Sequence, residues 1–281
     1  MTTPSSQTPI RPVSPRHYLM ARPTYYTVNY QINPWMHPEI ATDGSLAMQQ
    51  WQELHDLYVR IGHHVEVIEG APGLPDMVYA ANGGLVVDGI AVAANFTYPE
   101  RQGETELYAD WFRSAGFEVH YTDEVNEGEG DILTVGDVIL AGTGFRTSTK
   151  AHEQIAKVTG REVISLELVD PRYYHLDTAL SVLGPDLIAY YPPAFSPASR
   201  EVLSQRFPDA LIATDADAAA LGLNLVCDGV HAMMAPRAVD LIEKVRGRGF
   251  TVHTVDTSEL LKGGGGIKCC TLELRSAFAT S

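Results

Sequence analysis

The sequence has few cysteines, fewer positive than negative charges and no long apolar run. Its three cysteines are too few for a secreted disulfide framework, so a reducing cytoplasm is the expected compartment. No apolar run approaches the roughly 20 residues of a membrane helix. Lysine and arginine number 20 against 35 acidic residues, and the formal net charge is -15. That charge argues against nucleic acid or membrane partners and weakly favours a small cationic ligand.

The first 20 residues differ in composition from the rest of the chain. They are rich in Pro, Ser and Thr and lack the apolar centre of a secretory signal, so residues 1–20 are predicted to be a disordered tail. Residues 21–281 are predicted to form a single α/β domain, which is long enough to bury a core.

Five stretches of this domain share one pattern, an amphipathic helix followed by a small break and a short strand. Apolar residues recur at helical spacing, and the strands are rich in Val, Ile and aromatic residues. Glycines stand where four helices should end, at Gly62, Gly116, Gly160 and Gly249. The five stretches are residues 46–70, 104–123, 149–170, 196–215 and 235–256, of which the fourth is the most divergent.

Further strand-like runs lie between these stretches, so each unit carries several strands and one helix. Units repeated at such a period can close into a ring, although a doubly wound sheet also alternates helices and strands. A chemically distinctive residue follows each unit's post-helix strand. These residues are Asp76, Glu127, His175, Asn224 and Cys269. A closed ring would bring their loops to one axis, which favours the ring.

The most informative segment runs from four consecutive glycines, residues 263–266, to Cys269 and Cys270. Glycine permits close backbone approach and exposes N–H groups that could lower the pKa of a thiol. Cys269 is preferred as the nucleophile because it is nearer the glycines, and on a strand the two side chains would face opposite ways. The alternative is a flexible loop before a buried structural cysteine.

A histidine and several acids complete a plausible catalytic set. His175 and Asp177 share a face if extended, where His175 could transfer protons and Asp177 could accept hydrogen bonds from a cation. One of Glu127, Glu129 and Asp131 could orient the imidazole. The alternatives are a surface histidine and a charged turn.

Two further loops supply candidate ligand-binding groups. Asp76 and Asn82 lie six residues apart in a glycine-rich run. Arg101 and Arg146 stand in loops marked by proline or glycine and are candidate clamps for a carboxylate, although a single arginine is more often solvated surface.

Six motifs together resemble the guanidine-modifying, or pentein, superfamily, which includes dimethylarginine dimethylaminohydrolases, arginine deiminases and bacterial arginine dihydrolases. The motifs are GLPDMVYAANGG, YPERQGE, EGEGD, GTGFRTS, YYHLDT and GGGGIKCCT, in that order. The resemblance implies a five-bladed α/β propeller of ββαβ-type units. It also implies hydrolysis of a guanidinium C–N bond in arginine or a methylated arginine through a covalent cysteine intermediate, without cofactor or metal.

The resemblance also implies roles for individual residues. Cys269 would be the nucleophile and His175 the acid and base. The substrate's guanidinium would be held by Asp76 and Asp177, and its amino-acid end by Arg101 and Arg146.

Two departures from the family pattern bear on the substrate. The orienting acid is Glu127 or Glu129, of which Glu127 is favoured. Asn82 stands where an aspartate is usual, and with Asn33 in NPWM it is more similar to the arginine dihydrolases. Whether the product is citrulline or ornithine, whether the arginine is methylated, and whether the chain forms a homo-oligomer remain open.

Three competing interpretations remain. Residues 138–154 read as strand, G-x-G and helix, like the dinucleotide fingerprint of an oxidoreductase, but the third glycine is absent. A catalytically silent arginine-binding protein of the same fold is the second. A zinc site of Cys269, Cys270 and His175 is the third, although adjacent cysteines lack the C-x-x-C spacing of structural zinc sites.

Overall fold

A computed structural model describes residues 15–275. Its strands are β1 His17–Ala21, β2 His64–Ile68, β3 Gly84–Val87, β4 Ile90–Ala93, β5 Glu118–His120, β6 Ile132–Val135, β7 Val138–Thr143, β8 Glu162–Glu167, β9 Leu180–Val182, β10 Ile188–Tyr190, β11 Leu211–Ile212, β12 Val226–Cys227, β13 His231–Met234, β14 Thr251–Thr254 and β15 Leu272–Glu273. Its helices are α1 Gly44–Arg60, α2 Pro99–Gln102, α3 Glu104–Ser114, α4 Thr149–Thr159, α5 Leu176–Ala179, α6 Pro197–Arg206, α7 Asp215–Ala219 and α8 Val239–Gly247.

The described strands form five separate three-stranded sheets. Their orders are β15-β1-β2, β3-β4-β5, β6-β7-β8, β9-β10-β11 and β12-β13-β14. In each sheet the central strand pairs antiparallel with one neighbour and parallel with the other. A helix connects each parallel pair, as such pairs require. The repeated ββαβ pattern is therefore confirmed, and the doubly wound single sheet is wrong for the described residues.

The helix boundaries follow from local signals in the sequence. The side chain of Asp43 caps α1 by accepting from the backbone N–H groups of Ser45 and Leu46. Trp51, Leu54 and Tyr58 form its buried face, one helical turn apart. The predicted glycines at the helix ends adopt left-handed backbone conformations, with φ of 95° at Gly62, 88° at Gly116, 69° at Gly160 and 86° at Gly249.

The predicted boundary of the N-terminal tail was wrong. Strand β1 begins at His17, within the predicted tail of residues 1–20, because its sequence pairs with β15 on one side and β2 on the other. Tyr18 and Met20 are consequently buried. The rest of that tail, residues 1–14, lies outside the described residues.

The sheet that contains β1 joins the two ends of the described chain, since β15 follows all the other strands in sequence. Apolar clusters fill the space between helices and sheets, and one of them includes Trp51, Tyr79, Cys269 and Cys270. No helix within residues 15–275 has the length and apolar character needed to span a bilayer.

Candidate active site

The loops that follow the last strand of each unit meet in one place. Asn224 donates from its amide nitrogen to the Cys269 sulfur at 3.0 Å, and its oxygen accepts from the Cys269 backbone N–H at 3.1 Å. The imidazole of His175 lies 2.6 Å from the carboxylate of Glu127. Asp76 lines the same narrow cavity as His175 and Cys269. The five equivalent loop positions therefore converge, as the repeat pattern led us to expect.

All nine residues predicted for the site lie in or directly behind this cavity. Those on its wall are Asn33, Asp76, Asn82, Arg101, Arg146, His175 and Cys269. Glu127 is bonded to His175, and Asp177 accepts from the Cys269 thiol at 3.1 Å. The space in the cavity is about 10 Å³, which is room for about one water molecule.

The glycine run brings the backbone close to the aromatic wall of the site. A Cβ on Gly265 would lie 2.4 Å from the ring of Tyr79 and 3.0 Å from the Cβ of Cys269. Gly264 has φ of 92°, a conformation that favours glycine. Both cysteines lie in a turn rather than on a strand, and β15 begins after them, at Leu272.

Cys269 is the cysteine that faces the cavity, whereas Cys270 is fully buried and does not line it. Burial, together with the neighbouring carboxylate of Asp177, raises the pKa of the Cys269 thiol well above its ordinary value. A backbone hydrogen bond from Gly266 lowers this pKa, as expected of the glycine run, but burial outweighs it. The thiol is therefore protonated and donates to Asp177.

His175 is held by its position at the start of α5 and by a fully buried acid. Asp131 accepts from the backbone N–H of Leu176, which fixes the turn that carries the imidazole. Burial alone would raise the pKa of Glu127, but Arg146 at 3.1 Å and the His175 hydrogen bond hold it well below its usual range. Glu127 is therefore an anion that orients the imidazole.

Glu129 does not contact His175, although it lies in the same turn. Its carboxylate accepts from Lys268 at 2.8 Å, from the backbone N–H of Glu273, and from Arg275. The geometry thus favours Glu127 over Glu129 as the orienting acid.

Two buried carboxylates each keep one oxygen without a hydrogen-bond partner among the described residues. These oxygens are Oδ1 of Asp76 and Oδ1 of Asp177. The other oxygen of Asp76 accepts from Tyr30 at 2.9 Å, and the other oxygen of Asp177 accepts from Cys269. Burial raises the pKa of Asp76 and raises that of Asp177 to about 6. Such groups can receive a cationic donor.

The two arginines on the wall are engaged with internal groups. Arg101 forms a two-bond fork with Glu104, at 2.8 Å for each bond, and donates to the Asn82 side-chain oxygen. Arg146 donates to Glu127 and to the backbone oxygen of Ile32, and its guanidinium lies over the rings of two tyrosines. Their role as clamps for a substrate carboxylate stays a prediction.

The asparagines on the wall are also fixed by the protein. Asn33 donates to the backbone oxygen of Gly263 at 3.0 Å, so it ties the loop between β1 and α1 to the glycine run. The Asn82 amide accepts from Arg101 at 2.8 Å and donates weakly to the backbone oxygen of Glu127 at 3.4 Å.

Sequence reasoning gave no role to Asn224 or to Glu104. Asn224 occupies the fourth of the five equivalent repeat positions, and that position was the feature of the sequence that could have identified it as a site residue. Glu104 lies three residues after Arg101, a spacing at which helical side chains can pair.

Neither alternative cofactor site is supported by the described residues. The fingerprint-like run forms β7 and α4, but its loop directs Arg146 into the cavity. Among residues 15–275, the cluster of side chains that could hold a metal is His17, His64 and Glu66, not the two cysteines with His175.

Comparison with solved structures first defines the class. The chain superimposes on the N-terminal domain of ArgZ bound to product, an arginine dihydrolase from cyanobacteria, with a TM-score of 0.89 and 37% identity over 94% of this chain and 98% of that one. This likeness assigns the chain to the arginine-modifying α/β enzymes.

Sequence comparison then gives the family. Residues 22–215 match the family described as "N,N dimethylarginine dimethylhydrolase, eukaryotic". The chain is 53% identical over 259 residues to the N(G),N(G)-dimethylarginine dimethylaminohydrolase of Mycobacterium tuberculosis, covering 92% of this chain and 86% of that protein. It is 38% identical to the bifunctional arginine dihydrolase/ornithine cyclodeaminase ArgZ of Synechocystis, of which it covers 37%. The chain belongs to the dimethylarginine dimethylaminohydrolase family.

Proposed function

We propose that this protein hydrolyses a C–N bond in the guanidinium group of L-arginine or an N-methylated arginine, through a covalent intermediate on Cys269. The observation that carries the proposal is the pair of unpartnered, buried carboxylate oxygens on Asp76 and Asp177, beside a buried thiol and a histidine–glutamate pair. A planar cation with several N–H donors satisfies both oxygens at once. The family assignment supports the same chemistry.

The thiol becomes reactive when the cation binds. Burial and Asp177 keep Cys269 protonated, whereas an adjacent guanidinium favours the thiolate. Cys269 gives up its proton to His175 and its sulfur attacks the guanidinium carbon; the C–N bond then breaks, and His175 passes that proton to the departing amine.

Water completes the reaction. His175 takes a proton from water, and the oxygen attacks the former guanidinium carbon that is now bonded to the Cys269 sulfur. The C–S bond then breaks, and His175 returns the proton to the sulfur to regenerate the thiol. Arginine yields citrulline and ammonia, and a methylated arginine yields citrulline and the methylated amine. Two covalent steps replace one difficult hydrolysis.

Substrate entry requires the wall of the cavity to move, since the present space holds about one water molecule. The loop between β1 and α1 supplies Ile32 and Asn33 to the wall and is held there by Arg146 and by Gly263. We infer that this loop opens to admit substrate, which also releases Arg146 toward the substrate's carboxylate.

We also infer that the five sheets close into a five-bladed propeller around the site. The sheet shared by β1 and β15 supports this arrangement, and so does the meeting of one loop from each unit at the cavity. The free thiols of Cys269 and Cys270 are compatible with a reducing cytoplasm.

A second hydrolytic round, from citrulline to ornithine, ammonia and carbon dioxide, is favoured by Asn82. A carboxamide both donates and accepts, so it suits a neutral ureido group as well as a cation. Asn82 stands on the cavity wall as the neutral partner of Arg101.

One product assay tests these proposals. Purified protein is incubated with arginine, monomethylarginine, dimethylarginine and agmatine, and citrulline, ornithine, ammonia and methylated amines are quantified by mass spectrometry. Citrulline that accumulates without ornithine refutes the second round. Absence of turnover on both arginine and its methylated forms refutes the function itself.

A matched pair of variants tests the nucleophile. Cys269→Ser should abolish turnover while arginine still binds, whereas Cys270→Ser alters an equally buried thiol that does not line the cavity and should retain turnover. Normal turnover in Cys269→Ser would remove the proposed nucleophile.

A further inference from the structure

A second and larger cavity lies apart from the active site. Its volume is about 390 Å³, and it shares no lining residue with the cavity at Cys269. Its walls come from several sheets, including β6, β9, β12 and β15. That volume is within the range of cavities that bind small molecules.

The charge of this second cavity is opposite to that of the chain. Four cationic residues line it, and one carboxylate, that of Glu273, lines it as well. The cations are Arg16, Arg161, Lys268 and Arg275. The other acids that pair with these cations, Asp88 and Glu129, are not on the wall. These four cations against three paired acids leave a local excess of one positive charge in a chain of net charge -15, which favours an anion.

Three donor groups on the lining residues are buried and have no hydrogen-bond partner among the described residues. They are Nε of Arg16, Oγ1 of Thr134 and Oγ of Ser181. Ser181 as a whole is only 3% exposed. Buried polar groups are almost always paired, but these three atoms do not reach the cavity surface, so an acceptor bound in the cavity pairs with them only when the wall relaxes around it.

The rest of the wall is apolar. Leu133, Leu180, Leu183 and Leu225 contribute to it, so the ligand should carry a short aliphatic body as well as a negative group. We propose that this cavity binds a small aliphatic carboxylate, whose oxygens accept from Arg16, Thr134 and Ser181 while its chain packs against the leucines.

Two chain connections link the second cavity to the active site. Lys268 lines the second cavity and directly precedes Cys269. Its partner Glu129, 2.8 Å away, lies two residues after Glu127. An anion near Lys268 weakens its pair with Glu129 and shifts both segments slightly, so we expect an occupied second cavity to change the turnover rate by far less than the loss of Glu127 does.

The test measures binding directly. Propionate, butyrate and valerate are titrated into the full chain by calorimetry and by thermal unfolding, with butyramide as the uncharged comparator and inorganic phosphate as a compact anion. At least one carboxylate should bind and raise the melting temperature, and butyramide should not. No binding by any of the three carboxylates, or binding by phosphate alone, overturns the proposal.

Variants locate the binding site. Ser181→Ala removes an unpartnered hydroxyl, so the empty variant should melt no lower than the parent, but its carboxylate affinity should fall about tenfold or more. Arg16→Gln should weaken binding similarly. Arg246→Gln, on the exposed face of α8 and paired with Glu243, is the matched charge control and should leave affinity unchanged.

A competition experiment separates the two cavities. Carboxylate affinity is measured in Cys269→Ser with and without saturating arginine. Binding that survives arginine supports a separate site. Binding that arginine abolishes, combined with unchanged affinity in Ser181→Ala, places the anion at the active site and contradicts the proposal.

Discussion

Replacing Glu127 by glutamine tests how the imidazole is controlled. Glu127→Gln keeps the shape of the side chain but removes the charge that lies 2.6 Å from His175 and 3.1 Å from Arg146. The partners are buried, with side-chain exposures of 2% for His175, 3% for Arg146 and 0% for Glu127. The lost charge is therefore not replaced by solvent.

The size of the effect follows from this geometry. Two unit charges about 3 Å apart interact by roughly 5 kcal/mol at an effective dielectric constant of about 20. Removing one partner of a buried pair costs about 3–5 kcal/mol of unfolding free energy. At about 2–4 °C per kcal/mol, the melting temperature should fall by roughly 6–20 °C. Turnover should fall on the order of 10⁴-fold, as when the acid of a serine-protease triad becomes an amide.

Glu129→Gln is the matched control, because Glu129 is equally buried and paired with two cations but does not contact His175. Calorimetry and steady-state kinetics across pH should show a similar loss of stability in both variants. The large loss of turnover and the altered pH profile should appear in Glu127→Gln alone. A Glu127→Gln enzyme with the parent's kcat and pH profile would refute the assigned role.

Three further predictions concern single residues. Burial is the main cause that raises the pKa of Asp177 to about 6, so this group contributes stability that is complete below about pH 4 and is lost as pH rises through 6. Between about pH 4 and pH 7, the free energy of unfolding measured in urea should fall by about 3 kcal/mol more in the parent than in Asp177→Asn. An equal fall in both proteins would contradict the assignment. Gly265→Ala should lower the free energy of unfolding by about 1–3 kcal/mol and remove most of the turnover, because the added Cβ meets the ring of Tyr79. Gly247→Ala has open space around its Cβ and should keep both the stability and the turnover of the parent. Iodoacetamide should label the half-buried Cys227 before Cys269, whose pKa burial raises; peptide mapping that finds Cys269 labelled first would oppose a protonated resting thiol.

The sequence predicts those parts of the fold that depend on local signals. Helical spacing in α1, the cap at Asp43 and the left-handed Gly62 are all set within a few residues of chain. The equivalent positions of His175 and Cys269 in the repeats were sufficient to expect that they meet. Because the pattern repeats, equivalent positions that are far apart in sequence are expected to lie close together, whereas a fold without repeats gives no such expectation.

Other features depend on contacts that no local pattern encodes. The strand β1 was missed because only its pairing with β15 and β2 gives His17 a defined place. The raised pKa of the Cys269 thiol depends on its burial and on Asp177, 92 residues earlier in the chain. The fork between Arg101 and Glu104 likewise becomes decisive only because both are buried.

The most direct test of the account is mass spectrometry of the protein quenched in acid during turnover of arginine. A covalent adduct with the mass of arginine less ammonia should map to Cys269, be absent in Cys269→Ser and persist in Cys270→Ser. Turnover without any adduct at Cys269, or an adduct on another residue, would contradict the account.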